Sequence, residues 1–307
     1  MATISITGVG LSYSLAYDTN GSALNRVTFP YGGSIGWAYA DGNYSGSRTQ
    51  REVAVRSLSK DGSTITYYNF AATHDASLNT MRQYVTLDDP GGVGQKYWSF
   101  NLPSSSFPGL IASYEGRDKS VSPTALQQVS TTWTSAAFGP YISSTTTTMN
   151  PGTGSAVAKK VDQAIDQWGN LTSMTLYDYS GAVRRTYTNT YLNTSAYTSL
   201  YIRNRLSTSS VTEAGVATTL VTNLYDGSGM MVATPSTPRE FDASYTTSFT
   251  TRGNVIVSFT PGGNTGVNQM DNTGAVLQTS DSRGVVATNS TNSNTNYAVP
   301  SAITVGS

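Results

Sequence analysis

Few residues in this sequence have side-chain chemistry that could be put to work, and their neighbours decide what they can do. His74 is the single histidine, and Asp75 follows it. A Ser-His-Asp mechanism would need that imidazole as its base. No Gly-x-Ser-x-Gly elbow accompanies it, and Ala72-Thr73-His74-Asp75 reads as a polar loop. Asp88 and Asp89 form a carboxylate pair of the kind used in general acid/base work. Pro90-Gly91-Gly92 follows at once, so the pair reads as turn capping. Gly91-Gly-Val-Gly94-Gln-Lys96 and Gly152-Thr-Gly154 have phosphate-loop spacing but lack Gly-Lys-Ser/Thr and a following helix, and they too read as turns. No catalytic residue, cofactor or metal centre is expected.

Seven of the aspartates follow a rule. An Asp, two residues, a Gly, one residue and an apolar residue recur as Asp88/Gly91, Asp166/Gly169, Asp178/Gly181, Asp226/Gly229, Asp271/Gly274 and Asp281/Gly284. Asp18/Gly21 is a weaker copy, and Thr250-Thr-Arg-Gly253-Asn-Val255 has Thr in the acidic place. Each copy reads mechanically as a turn. The carboxylate accepts backbone N–H bonds, the Gly supplies a positive φ, and the apolar residue starts a half-buried strand. A calcium site wants six or more converging oxygens, whereas these aspartates come one to a turn.

The elements that would carry these turns are strands. Twenty Tyr, 29 Gly and abundant Thr and Val favour strands broken by tight turns. Val255, Val257 and Phe259 alternate onto one face, as does Glu52-Val53-Ala54-Val55-Arg56. Thr186-Tyr187-Thr188-Asn189-Thr190-Tyr191 sets a Thr ladder opposite aromatics. Asp166 and Asp178 lie 12 residues apart and Asp271 and Asp281 lie 10 apart, one strand plus one turn. The spacing predicts an all-β, long antiparallel meander over residues 1–307 as a single unit. A less regular section falls at about 95–160, where Pro103 to Pro108, the Thr run 145–148 and Asn150 to Gly154 read as irregular loops and long hairpins. Helical turns are expected at most at Asp75–Gln83 and Pro123–Val129.

Composition narrows the partners. Of 307 residues, 18 are basic and 18 acidic, so the formal net charge is zero. Nucleic acid and anionic membrane surfaces both need a basic excess and are not expected as partners. There is no Cys, so neither disulfides nor Cys-ligated metals can form. Met1-Ala-Thr-Ile-Ser-Ile6 lacks the basic and long apolar regions of a signal peptide. No stretch approaches the roughly 20 apolar residues of a membrane helix. Trp37, Trp98, Trp133 and Trp168 could stack on a glycan, against the plainer reading that they pack between strands.

Tyr17-Asp18, Tyr177-Asp178 and Tyr225-Asp226, each followed by x-x-Gly, resemble the repeats of the RHS/YD-repeat family. So do the stretches Asn25 to Gly33 and Tyr201 to Leu206. The resemblance covers residue 11 to about 288 and is weakest from 98 to 150. It implies a curved or spiralling β-strip of YD-type hairpins that in related proteins winds into a hollow shell. It also implies a non-enzymatic structural role, extracellular or at the cell surface. The chain is shorter than a full shell needs and lacks the Arg-Tyr-Tyr-Asp-Pro hallmark of self-cleaving members. The expectation is therefore a section of a larger shell protein or a self-associating fibre subunit, with a carbohydrate-binding module as the alternative.

Overall fold

The structure is a computed structural model that describes residues 2–6, 8–19, 23–74, 81–227, 229–233, 241–242 and 244–306. Asp75 and Gly21 lie outside the described residues, as does most of the expected helical turn at 75–83.

Among the described residues there are 22 strands. The first eleven are β1 (Ala2–Ile6), β2 (Leu11–Tyr17), β3 (Leu24–Thr28), β4 (Ser34–Tyr44), β5 (Arg48–Ser59), β6 (Thr66–His74), β7 (Arg82–Asp88), β8 (Gly94–Phe100), β9 (Ile111–Asp118), β10 (Thr124–Ala136) and β11 (Gly139–Met149). There follow β12 (Val157–Ile165), β13 (Leu171–Tyr177), β14 (Val183–Tyr191), β15 (Leu206–Glu213), β16 (Val216–Tyr225) and β17 (Met231–Val232). The last are β18 (Val255–Thr260), β19 (Gly263–Asp271), β20 (Val276–Asp281), β21 (Val286–Ser290) and β22 (Ala302–Gly306). One helical turn, α1 (Ser195–Thr198), sits between β14 and β15.

The chain divides into two compact units. The first comprises Met1–Ser135, Pro140–Lys160 and Asp178–Gly181, and the second Ala136–Gly139, Val161–Tyr177 and Ala182–Ser307. In the first unit, β1 to β10 pair antiparallel, each with the next. In the second, β12 to β16 and then β18 to β22 continue the same rule. The short β17 breaks it by pairing parallel with β19.

Local sequence explains the pairing. Thr186, Thr188 and Thr190 of β14 face Thr212, Ser210 and Thr208 of β15, and the Thr190 and Thr208 hydroxyls bond at 2.6 Å. Such cross-strand pairs each contribute about 0.2–1 kcal/mol. They matter here because among the described residues only Tyr44, Leu87 and Met270 are buried apolar side chains. Both faces of these sheets are mostly half-buried or exposed, so ladder hydrogen bonds and side-chain pairs carry an unusual share of the stability.

Three expectations are corrected. Ala72-Thr73-His74 is no loop but the end of β6, held by pairing with β7. Pro123–Val129 is no helical turn, because Thr124 to Ser130 pair with β9, and the ladder overrides the helix preference of Ala125-Leu-Gln-Gln128. The Thr run 145–148 is no loop but lies within β11, as its β-branched side chains favour.

Candidate functional site

The residues singled out by the sequence converge on one repeated device, an Asp-capped hairpin turn. Asp166 Oδ1 accepts from the backbone N–H of Trp168 at 2.8 Å and of Asn170 at 2.9 Å. The Asp166 N–H in turn reaches Asn170 O, and the Gly169 N–H reaches Asp166 O. Asp271 caps Thr273 and Ala275, and Asp281 caps Arg283 and Val285, in the same way. Asp178 takes the Ser180 N–H at 2.8 Å. Gly169, Gly181, Gly274 and Gly284 all have φ between 81° and 90°. This is a type I turn closed by a left-handed glycine, with Asp and Gly at the positions each favours.

A bulge follows five of the turns. The register shifts at Ala16/Tyr17, Ala164/Ile165, Leu176/Tyr177, Leu224/Tyr225 and Gln269/Met270, where the outgoing strand carries an extra residue, Asn25, Thr172, Arg184, Ile256 and Leu277 respectively. The Tyr of Tyr-Asp thus faces the bulge rather than forming it, and the bulge adds local twist where the new strand leaves the turn.

Two of the caps, at Asp166 and Asp281, hold their carboxyls low. Burial pushes the Asp166 carboxyl up, but the Asn170 amide and the turn N–H groups outweigh it and hold it below 3.8. Asp281 is held low first by the Arg283 side chain and then by backbone N–H bonds from Val285 and Arg283. Asp271 is fully buried, and its Oδ2 has no hydrogen-bond partner among the described residues.

Three copies differ from the expected pattern. Asp88 lies in β7 and binds the Gln95 amide at 2.8 Å and the Lys119 ammonium. The turn falls one residue later, where the Gly92 N–H meets Asp89 O and φ is +73° at Gly92 rather than Gly91. Pro90 sets this register, since its fixed φ suits the second position of a turn that begins at Asp89. Asp18 closes a turn one residue longer, with its N–H on Ala23 O and its carboxylate paired with Arg51. Asp226 differs in the reach of its bonds among the described residues, although Gly229 has φ +77°. Its carboxylate caps the N–H groups of Arg252, Gly253 and Asn254 at 3.0, 2.8 and 3.0 Å.

The four tryptophans have separate surroundings. Trp37 lies on β4, opposite Arg56. Trp98 packs against Tyr114 with centroids 5.4 Å apart. The Trp133 Nε1–H donates to Ile111 O at 2.7 Å, and the face of Trp168 is covered by the Arg203 guanidinium at 3.9 Å.

His74 belongs to a cluster that its sequence neighbours do not reveal. Glu52 Oε1 accepts from the Tyr44 hydroxyl at 2.5 Å and from Arg82 Nε at 2.8 Å, and His74 Nε2 lies 3.8 Å from Glu52 Oε2. The Tyr44 and His74 rings are 4.4 Å apart. Burial raises the Tyr44 hydroxyl, and Glu52 adds to the effect. For Glu52 burial acts upward, yet the Tyr44 and Arg82 hydrogen bonds hold the carboxyl low. Four strands, β4 to β7, each give one residue to this clamp. A second unpredicted device is Asn-x-Tyr before a turn. Asn189 and Tyr191 both donate to Leu171 O, and Asn223 and Tyr225 both donate to Leu206 O. The shared spacing was its only trace in the sequence.

The fold is therefore an all-β antiparallel meander of Asp-capped hairpins. No protein-family model matches the chain, and no curated protein does. Among solved structures, the chain is similar to a mutant Tc holotoxin pore of Photorhabdus luminescens at 9% identity and a TM-score of 0.33. It is similar at 10% identity and a TM-score of 0.28 to a crystal structure of a complex containing TcdB2 and TccC3. These alignments cover 92% and 96% of this chain but only 17% of each of those chains. A porin-like protein from Bacteroides uniformis aligns at 10% identity and a TM-score of 0.21, over 96% of this chain and 87% of that one.

Proposed function

We propose that this chain is a non-enzymatic structural module, a length of YD-type β-strip completed by strand addition from further strip. The observation that carries the reading is the repeated turn. One device of Asp cap and positive-φ glycine, in five copies with a bulge on the outgoing strand, recurs along the chain, and at Asp166, Asp178, Asp226, Asp271 and Asp281 the carboxylate is engaged with backbone N–H groups. Repetition of a supersecondary unit is how strip-like and solenoid proteins are built, each repeat burying its surface against neighbours.

The open edges support the same reading. Among the described residues β1 pairs with β2 alone and β22 with β21 alone. Ile4 and Ile6 on β1 are 56% and 43% exposed, and Ile303 and Val305 on β22 are 64% and 65% exposed. Unpaired N–H and C=O groups flanked by apolar side chains form a template for another strand. The neighbouring strip would come from more of a larger shell protein or from a second copy in a surface fibre. An extracellular or cell-surface setting follows the YD-repeat resemblance.

The test is light scattering across a concentration series, with electron microscopy of the same samples. Ordered assemblies that are lost on Ile4→Lys or Val305→Lys are expected. A monodisperse monomer at every concentration would remove the fibre form of the proposal.

A further inference from the structure

The turn capped by Asp226 is split by a long excursion of the chain. Asp226 supplies the acid, while Arg252, Gly253 and Asn254 supply the N–H groups, and the Asp226 N–H closes on Asn254 O at 2.9 Å. Removing residues 227–250 in thought leaves Asp226-Thr251-Arg252-Gly253-Asn254, the same pattern as Asp166-Gln167-Trp168-Gly169-Asn170. The excursion is thus inserted inside a complete repeat turn, which does not need it.

Phe241, Tyr245 and Phe249 of the excursion help line a cavity of about 410 Å³, within the roughly 300–1,000 Å³ of small-molecule sites. Tyr245 and Phe249 wall it with rings 5.0 Å apart at 84°. Leu200 and Ile202 add apolar surface from beside α1, and Thr251, Asn254 and Thr273 bring polar groups. Arg252 also lines the cavity but acts as a strut. Its Nε, Nη1 and Nη2 donate to the carbonyls of Phe249, Asn272 and Thr246, and its charge rests against Tyr245 and Phe249 at 5.6 and 5.5 Å. The Asn254 amide donates only to the Met270 thioether at 3.2 Å, a weak acceptor that a hydroxyl would replace to advantage.

We propose that this cavity is a binding site for a neutral pyranose sugar. The aromatic side chains that line it supply apolar surface against which the C–H face of a sugar ring can pack. Among the described lining residues the site offers hydroxyl and amide partners, and their one cation, Arg252, is tied to three backbone carbonyls, a lining suited to a neutral ligand.

Saturation-transfer difference NMR with a panel of neutral monosaccharides, and with indole as an apolar control, tests the proposal. At least one pyranose is expected to give ring-proton signals with the full chain, and these are expected to vanish in the 227–250 deletion and in Tyr245→Ala. Should the deletion variant not fold, Tyr245→Ala and Phe249→Ala carry the comparison, each first checked for an unchanged circular dichroism spectrum. Signals from indole alone, from no probe, or from sugars equally in wild type and folded variants would overturn the assignment.

Discussion

The Asp226 carboxylate accepts a hydrogen bond from the Gly253 N–H at 2.8 Å, across 27 residues of chain. This pairing explains two oddities of the sequence together. Thr250-Thr-Arg-Gly253 lacks an acid where other copies have one, and among the described residues the Asp226 carboxylate bonds backbone N–H groups 26 to 28 residues away. The two half-motifs are one motif. Tyr197 reinforces it, since burial and a hydrogen bond to Asp226 push its hydroxyl up to about 12.

Replacing Asp226 should therefore cost as much as removing a local cap. Asp226→Ala leaves three backbone N–H groups without their acceptor and is expected to lower stability by about 2–3 kcal/mol, with Asp226→Asn costing less. Urea denaturation reads this directly. A loss within about 0.5 kcal/mol, the size of an ordinary surface change, would show that the long-range cap does not hold the turn.

The turn glycines separate backbone strain from crowding. A Cβ at Gly181 meets nothing within 4 Å, while one at Gly169 touches the Phe138 ring at 4.0 Å, and φ is +81° and +88° respectively. Gly181→Val and Gly169→Val should each cost about 1–3 kcal/mol from the left-handed backbone alone. Unchanged melting temperatures for both would contradict the turn geometry.

Acid should weaken the fold, and base should too. Asp88 is held low chiefly by Lys119, Asp281 chiefly by Arg283, and Asp61 falls to about 2 through N–H bonds from Thr64 and Ser63. A carboxyl below its ordinary 3.8 in the folded chain leaves the unfolded chain to bind protons first. The stabilisation is complete above that value and is lost as pH falls through it towards about 2. Tyr197 works the other way, so its contribution is complete below 10.0 and is lost as pH rises towards about 12. Thermal melts should show a plateau near neutrality with a decline on each side. A melting temperature that rises on acidification from about pH 5 to about pH 3 would contradict this.

The fold was legible in the sequence wherever the signal was local. Asp166, Asp178, Asp271 and Asp281 cap residues two to four positions away, and alternation such as Thr186 to Tyr191 needs only the strand itself. What escaped notice depended on pairing between distant segments. Ala125-Leu-Gln-Gln128 has helix-forming residues but is captured by β9. Pro90 moved a turn by one residue, from Asp88 to Asp89. Glu52 and His74 meet only because β5 and β6 pair, and no spacing within either strand announces it.

The Glu52 cluster supplies the sharpest comparison between partly buried and exposed charge. Glu52 is 12% exposed and receives the Tyr44 hydroxyl together with two nitrogens of Arg82, whereas Arg185 and Glu213 meet at 3.2 Å with both side chains about half exposed. Glu52→Gln keeps the size and one oxygen acceptor but removes the charge facing Arg82, so about 2 kcal/mol of stability should go. Glu213→Gln should change stability by no more than about 0.5 kcal/mol, because water already screens that pair. Chemical denaturation of the two variants side by side decides the matter. If Glu52→Gln were as mild as Glu213→Gln, the clamp across β4 to β7 would be no stronger than a surface ion pair.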